Sequence, residues 1–216
     1  MSPASEGVVQ FGYRLTPAPP PRDPVVGELT RWRAELFRRD TIGCDLSRYG
    51  ACYGNLSART GPYAMAPGRR EFLVSCTQTG GDPVGGAATL VRVVGYDHGR
   101  NHVTSVGSCP PSSETMTHGA MYDASLDVRA VVHGHDPRLW RWLLSTDAPR
   151  TPEAVAYGTP AMARAAFDCV RQDHERPWRQ PGVLAMAGHE DGVVAWGGTV
   201  AEAARRFLSA WHVART

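Results

Sequence analysis

The sequence has no apolar run long enough for a membrane-spanning helix, no polybasic stretch and little net charge. A formal charge of +2 over 216 residues gives no electrostatic footprint for nucleic acid or an acidic membrane surface. There is no GxxxxGK[ST] phosphate loop and no GxGxxG dinucleotide fingerprint, which removes the commonest nucleotide-binding classes. Cys44, Cys52, Cys76, Cys109 and Cys169 form no CxxC pair. Their odd number, and a start (MSPASEGVVQ) without the basic and apolar regions of a secretory signal, predict reduced thiols and a cytoplasmic protein.

What is present is the composition of an ordinary folded protein, 42% apolar and 20% charged, of a length that suits one domain. Residues 1–25, with TPAPPPRDP at 16–24, read as an extended proline-rich arm, and residues 26–216 as the domain. Val26, Leu29, Trp32, Leu36 and Phe37 follow a helical period. EFLVSC (71–76) and LVRVV (90–94) read as strands, and Glu114, His118 and Tyr122 recur at helical spacing after Ser112-Ser113. Thr159-Pro160 and Thr199…Glu202 mark the starts of two further helices. The order is mixed α and β, a sheet flanked by helices, without internal repeats.

The chemistry concentrates where strands end. In AVVHGHDPRLW (130–140) a short apolar strand delivers His133 and His135 to one side, since residues i and i+2 share a face. Asp136-Pro137 then caps a helix whose buried face carries Leu139, Trp140, Leu143 and Leu144. His189 likewise follows the apolar strand VLAMA. Three such imidazoles are the usual protein share of a catalytic zinc site, with Glu114 available as a fourth ligand at a helix start that favours its anion. Taken singly, each is as readily a strand-edge or turn histidine. His118 reads as a core histidine, and His98, His102, His174 and His212 as surface residues. GNLS (54–57), TQTGG (77–81) and SSE (112–114) offer backbone N–H groups and hydroxyls of the kind that attract phosphate, although each alone is an ordinary turn.

Together, GNLSAR, TQTGG, SSETMTHGAMY, AVVHGHD and AGHEDGVVAWGGTVAEAARR resemble the class II aldolase/adducin family in order and interval, from about Leu29 to Trp211. The resemblance implies a three-layer α/β/α single domain with a central, mainly antiparallel sheet. It also implies a homotetramer with active sites between subunits. On the matching positions, His133, His135 and His189 bind a divalent metal, usually zinc, with manganese, iron and cobalt as other occupants. Glu114 is a ligand at rest and the acid/base in turnover. Gly54, Asn55, Thr79, Gly80, Ser112 and Ser113 hold the substrate phosphate.

The chemistry is coherent on its own terms. A dication on the oxygens of a hydroxy ketone stabilises an enediolate, and a nearby carboxylate shuttles the proton. The leading expectation is therefore a metal-dependent lyase, an aldolase that cleaves a C–C bond of a small phosphorylated ketose through a metal-bound enediolate. A dehydratase or epimerase on a similar sugar phosphate is the nearest alternative; an iron(II) oxygenase and a non-catalytic adducin-like module are more distant. One departure from the family stands out. The stretch after His135 is short, and no tyrosine lies between His135 and Tyr157 to match the one that protonates the departing aldehyde oxygen in family aldolases. Tyr157 itself reads as part of a strand.

Overall fold

The structure, a computed structural model, describes residues 8–175 and 181–216. An eight-stranded sheet forms its middle layer: β1 (Gly12–Pro17), β4 (Asn55–Arg59), β5 (Phe72–Ser75), β6 (Leu90–Asp97), β7 (His102–Gly107), β8 (Ala130–His135), β9 (Val183–Ala185) and β10 (Gly192–Gly197). The strand order is β1-β7-β6-β5-β4-β8-β10-β9, and every neighbouring pair is antiparallel except β1 with β7. A separate hairpin, β2 (Gly43–Asp45) and β3 (Ala51–Tyr53), stands before β4.

Helices α1 (Val25–Phe37), α3 (Pro137–Leu144) and α5 (Val200–Val213) cover one face of the sheet through Leu29, Leu36, Leu139, Leu143, Ala203 and Phe207. Helices α2 (Thr115–Ala124) and α4 (Pro160–Glu175) cover the other through Met116, Met121, Met162, Ala166 and Val170. Strand alternation divides the two cores: Val131 faces α2 and α4, whereas Ala130 and Val132 face α1 and α5. The three-layer α/β/α expectation matches this architecture. The caps also form as read: the Asp136 carboxylate accepts from Leu139 N at 2.7 Å and the Thr199 hydroxyl from Glu202 N at 3.1 Å.

Within the proline-rich segment, Gly12–Pro17 form the edge strand β1, in parallel register with His102–Gly107. Residues 1–7 of that segment lie outside the described residues. Tyr157 lies in the turn before α4 and not in a strand, because the chain must reverse there to enter the helix at Pro160.

The expectation of reduced thiols is overturned. Cys44–Cys52 and Cys76–Cys109 are disulfide-bonded, leaving buried Cys169 free. Cys44 and Cys52 are direct cross-strand partners, and Cys76 bridges to Pro111 close to Cys109, proximities that spacing along the chain does not reveal. The thiol-based argument for a cytoplasmic location falls with this pairing. Thiol titration of the denatured, unreduced protein should therefore count one thiol per chain; a count of five would contradict the pairing. Among the described residues no helix is long and apolar enough to cross a membrane.

Candidate metal centre

Strand β8 ends in the central region of the sheet, paired on both sides. His133 and His135 point to the α2/α4 face, and the glycine between them is a packing requirement. A Cβ on Gly134 would stand 2.8 Å from the Thr41 carbonyl oxygen and 2.9 Å from the Phe207 ring, so no larger side chain fits. Antiparallel pairing sets Val194 opposite His133 and Gly192 opposite His135, which brings the β9–β10 turn alongside. His189 occupies that turn, with its N–H donating to Met186 O and its carbonyl accepting from Gly192 N.

The three imidazoles converge. One ligating nitrogen from each of His133, His135 and His189 lies within 4.8 Å of the others, and all three residues are buried. His133 Nδ1 donates to Val193 O at 3.2 Å, which fixes the tautomer and leaves the Nε2 lone pair turned towards His135 Nε2, 3.2 Å away. A carbonyl on the outer nitrogen is how metal-ligating imidazoles are ordinarily aimed. Tyr49 and Tyr53 pack against the His135 ring at 4.9 and 5.3 Å, and Tyr157 stacks on His189 at 4.8 Å. Glu114 is the N-cap residue of α2; its Oε1 lies 3.8 Å from His189 Nδ1, with the side chain 2% exposed.

Burial holds His133 and His135 well below the usual imidazole pKa, and the neighbouring imidazoles push the same way. His118 is pushed down to about 3 by burial. Neutral imidazole is the form that binds a metal ion. The same depression makes the metal-free fold acid-sensitive. Below an unfolded pKa of ~6.5 each of these histidines protonates in the unfolded chain and not in the folded one, costing about 1.4 kcal/mol per pH unit each. Melts of metal-free protein should show stability falling steadily from pH 7 to pH 5; a flat profile would contradict neutral burial.

The six expected phosphate-binding residues also come together. Gly54, Asn55, Thr79, Gly80, Ser112 and Ser113 line one narrow cleft with Thr77 and Gln78, and no residue lining it is charged. Asn55 sits directly across from His133 in the β4–β8 pairing, which places this cleft beside the histidines. Thr77 N donates to Pro110 O and Ser112 N to Ser75 O, so the TQTGG and SSE segments are held edge to edge. His118 is a core residue as expected, with Nδ1 2.7 Å from Ser57 Oγ. His98 and His102 are half-buried, and His174 and His212 exposed.

Sequence reasoning missed the clasp over the site. Asp191, 1% exposed, accepts from Arg48 Nη2 at 2.6 Å and from Tyr49 OH at 2.8 Å, tying the β2–β3 turn to the His189 turn. Its partners are 142 and 143 residues away, and only the Asp two positions after His189 hinted at it. Burial first, then the Asp191 carboxylate, raises the Tyr49 phenol above its ordinary pKa.

Among solved structures the chain is similar to an L-fuculose 1-phosphate aldolase, at 18% identity and TM-score 0.63 over 91% of this chain and 85% of that one. It is also similar to a sugar-phosphate aldolase from Thermotoga maritima, at 16% identity and TM-score 0.66 over 88% and 92%. A third likeness is to YgbL from Klebsiella pneumoniae, described as a candidate aldolase/epimerase/decarboxylase, at 19% identity and TM-score 0.62 over 88% and 86%. No functionally curated protein matches the sequence significantly. At these identities the likenesses establish the shared fold. The family model for the class II aldolase and adducin N-terminal domain matches residues 47–216, a span that holds all three histidines, Glu114 and the uncharged cleft. The chain belongs to the class II aldolase and adducin N-terminal domain family.

Proposed function

We propose that the protein is a divalent-metal-dependent lyase of the aldolase type, acting on a small phosphorylated ketose or related hydroxy ketone. The observation that carries this reading is the convergence of three buried imidazoles, two of them held neutral by burial, beside a buried carboxylate. Burial keeps the His133 and His135 rings neutral, the form in which imidazole nitrogens bind a cation, and His189 brings a third nitrogen to the same point. The residues fit such an ion: three nitrogen donors, one of them aimed by a carbonyl, and a carboxylate within reach. His133, His135 and His189 would hold it, and a bound dication supplies Lewis acidity to the oxygens of a hydroxy ketone. Zinc suits this donor set, as do manganese, iron and cobalt.

Glu114 holds and moves the proton. As the C–C bond breaks, its electron pair stays on the ketone-side carbon and the hydroxyl of the other carbon becomes the aldehyde carbonyl. The Glu114 carboxylate would take that hydroxyl proton and return it to the carbon, and condensation reverses both transfers. The uncharged cleft seats the phosphate through backbone N–H groups, the amides of Asn55 and Gln78, and the hydroxyls of Thr77, Thr79, Ser112 and Ser113. A metal-free route through a lysine imine is closed, because the sequence contains no lysine. Dehydration and epimerisation draw on the same stabilised carbanion and remain the second reading, in line with the mixed description of YgbL. A homotetramer is the assembly proposed.

The test is a screen of phosphorylated ketoses for carbonyl release, run with chelator-treated and metal-restored protein. Release that appears only on restoring metal supports the lyase. Isomerised or dehydrated product without a new carbonyl fragment transfers the assignment to the second reading.

A further inference from the structure

We infer that the connector from Pro149 to Gly158 is the scaffold that aims His189, with Tyr157 as its positioning residue. The inference rests on the metal reading above and asks how the third ligand, which comes from a turn and not from a strand, keeps its direction. His133 is aimed by the Val193 carbonyl, and the His135 ring is flanked by Tyr49 and Tyr53. His189 has its own support on a different element.

The connector runs against the strand and turn that carry His189. Ala185 N donates to Pro149 O and Thr151 N to Ala185 O, each at 3.0 Å, so residues 149–151 lie along the outer side of β9. The Thr151 hydroxyl then accepts from Ala187 N at 3.1 Å. Further on, the connector backbone lies flush on Gly188, the residue before His189. A Cβ there would stand 2.0 Å from Val155 O and 2.9 Å from Glu153 O, so the turn is seated by backbone-on-backbone contact. Finally Tyr157, 6% exposed, lays its ring on the His189 imidazole, with centroids 4.8 Å apart and planes 28° from parallel.

A flat partner on one face resists rotation of the imidazole about its Cβ–Cγ bond, because turning the ring forfeits the stacked contact. The His133 and His135 rings close other sides at 5.1 and 4.8 Å. Tyr157 therefore fixes the direction of the ligating lone pair without itself touching the ion. In this role the ring face matters and the phenolic oxygen does not.

The experiment titrates chelator-stripped wild type, Tyr157→Phe, Tyr157→Leu and Tyr157→Met with Co²⁺, reading affinity by competition and ligand geometry from the d–d absorption. Met keeps much of the volume without a flat face, and covers the case in which Leu fails to fold. Tyr157→Phe should bind within about threefold of wild type with the same spectrum. Leu and Met should bind about 10- to 100-fold more weakly, the usual cost of losing an outer partner of a metal ligand, with an altered spectrum. Wild-type affinity and spectrum in the Leu or Met variant would overturn the inference alone, as would a loss in Phe equal to theirs. Wild-type protein that binds no Co²⁺ would overturn the metal reading and this inference with it.

Discussion

Glu114→Gln is expected to keep its metal and to lose about 10²- to 10⁴-fold in turnover, the ordinary worth of a positioned acid/base. The amide reproduces the shape of the carboxylate in a site where the side chain is 2% exposed, so packing against α2 and the His189 turn should survive. It cannot accept and return a proton. The three histidines remain to hold the ion. A merely structural carboxylate would behave differently, with metal lost or the melting temperature lowered and activity falling only in proportion. Metal content, melting temperature and turnover, measured together on a substrate found by the ketose screen, separate the cases. A fully metallated Glu114→Gln protein with near-normal turnover would remove Glu114 from the proton-transfer role.

Replacing any one of His133, His135 or His189 by Ala should weaken metal binding by at least about 100-fold, beyond the cost of losing an outer-shell partner. Two nitrogens and a carboxylate 3.8 Å from His189 do not replace a closed three-nitrogen set. The fold should survive, because each removal takes away a buried polar ring, and for His133 and His135 one whose neutral burial costs stability below neutral pH. Metal-free melts should show this directly, with the acid sensitivity between pH 7 and pH 5 reduced in His133→Ala and His135→Ala. Undiminished metal binding in any one of the three variants would exclude that residue from the ligand set.

Much of the site was legible because its elements obey local rules. His133 and His135 alternate with a glycine at the end of an apolar strand, and Asp136-Pro137 announces the helix that follows. These are short-range signals, and the structure reproduces them. The layered fold followed from strands alternating with capped helices and from the family resemblance. The edge strand β1 was hidden because prolines crowd the arm that follows it, and its partner β7 lies about 90 residues away. The disulfides were hidden for a related reason. An odd cysteine count argues about a compartment, whereas Cys44 and Cys52 are joined because two short strands pair in register. The Asp191 clasp and the Tyr157 stack likewise depend on distant segments meeting. Tyr157 reads as a strand residue beside the apolar Val155 and Ala156, while the need to enter α4 at Pro160 imposes a turn.

The central claim is that His133, His135 and His189 together bind one divalent ion. X-ray absorption spectroscopy at the metal edge of protein loaded with one equivalent of Zn²⁺ tests it most directly. The account predicts a first shell of nitrogen and oxygen only, with about three imidazole scattering patterns at ~2.0 Å, lost in the His133→Ala/His135→Ala/His189→Ala protein. A first shell containing sulfur at ~2.3 Å, or an unchanged spectrum in the triple variant, would contradict it.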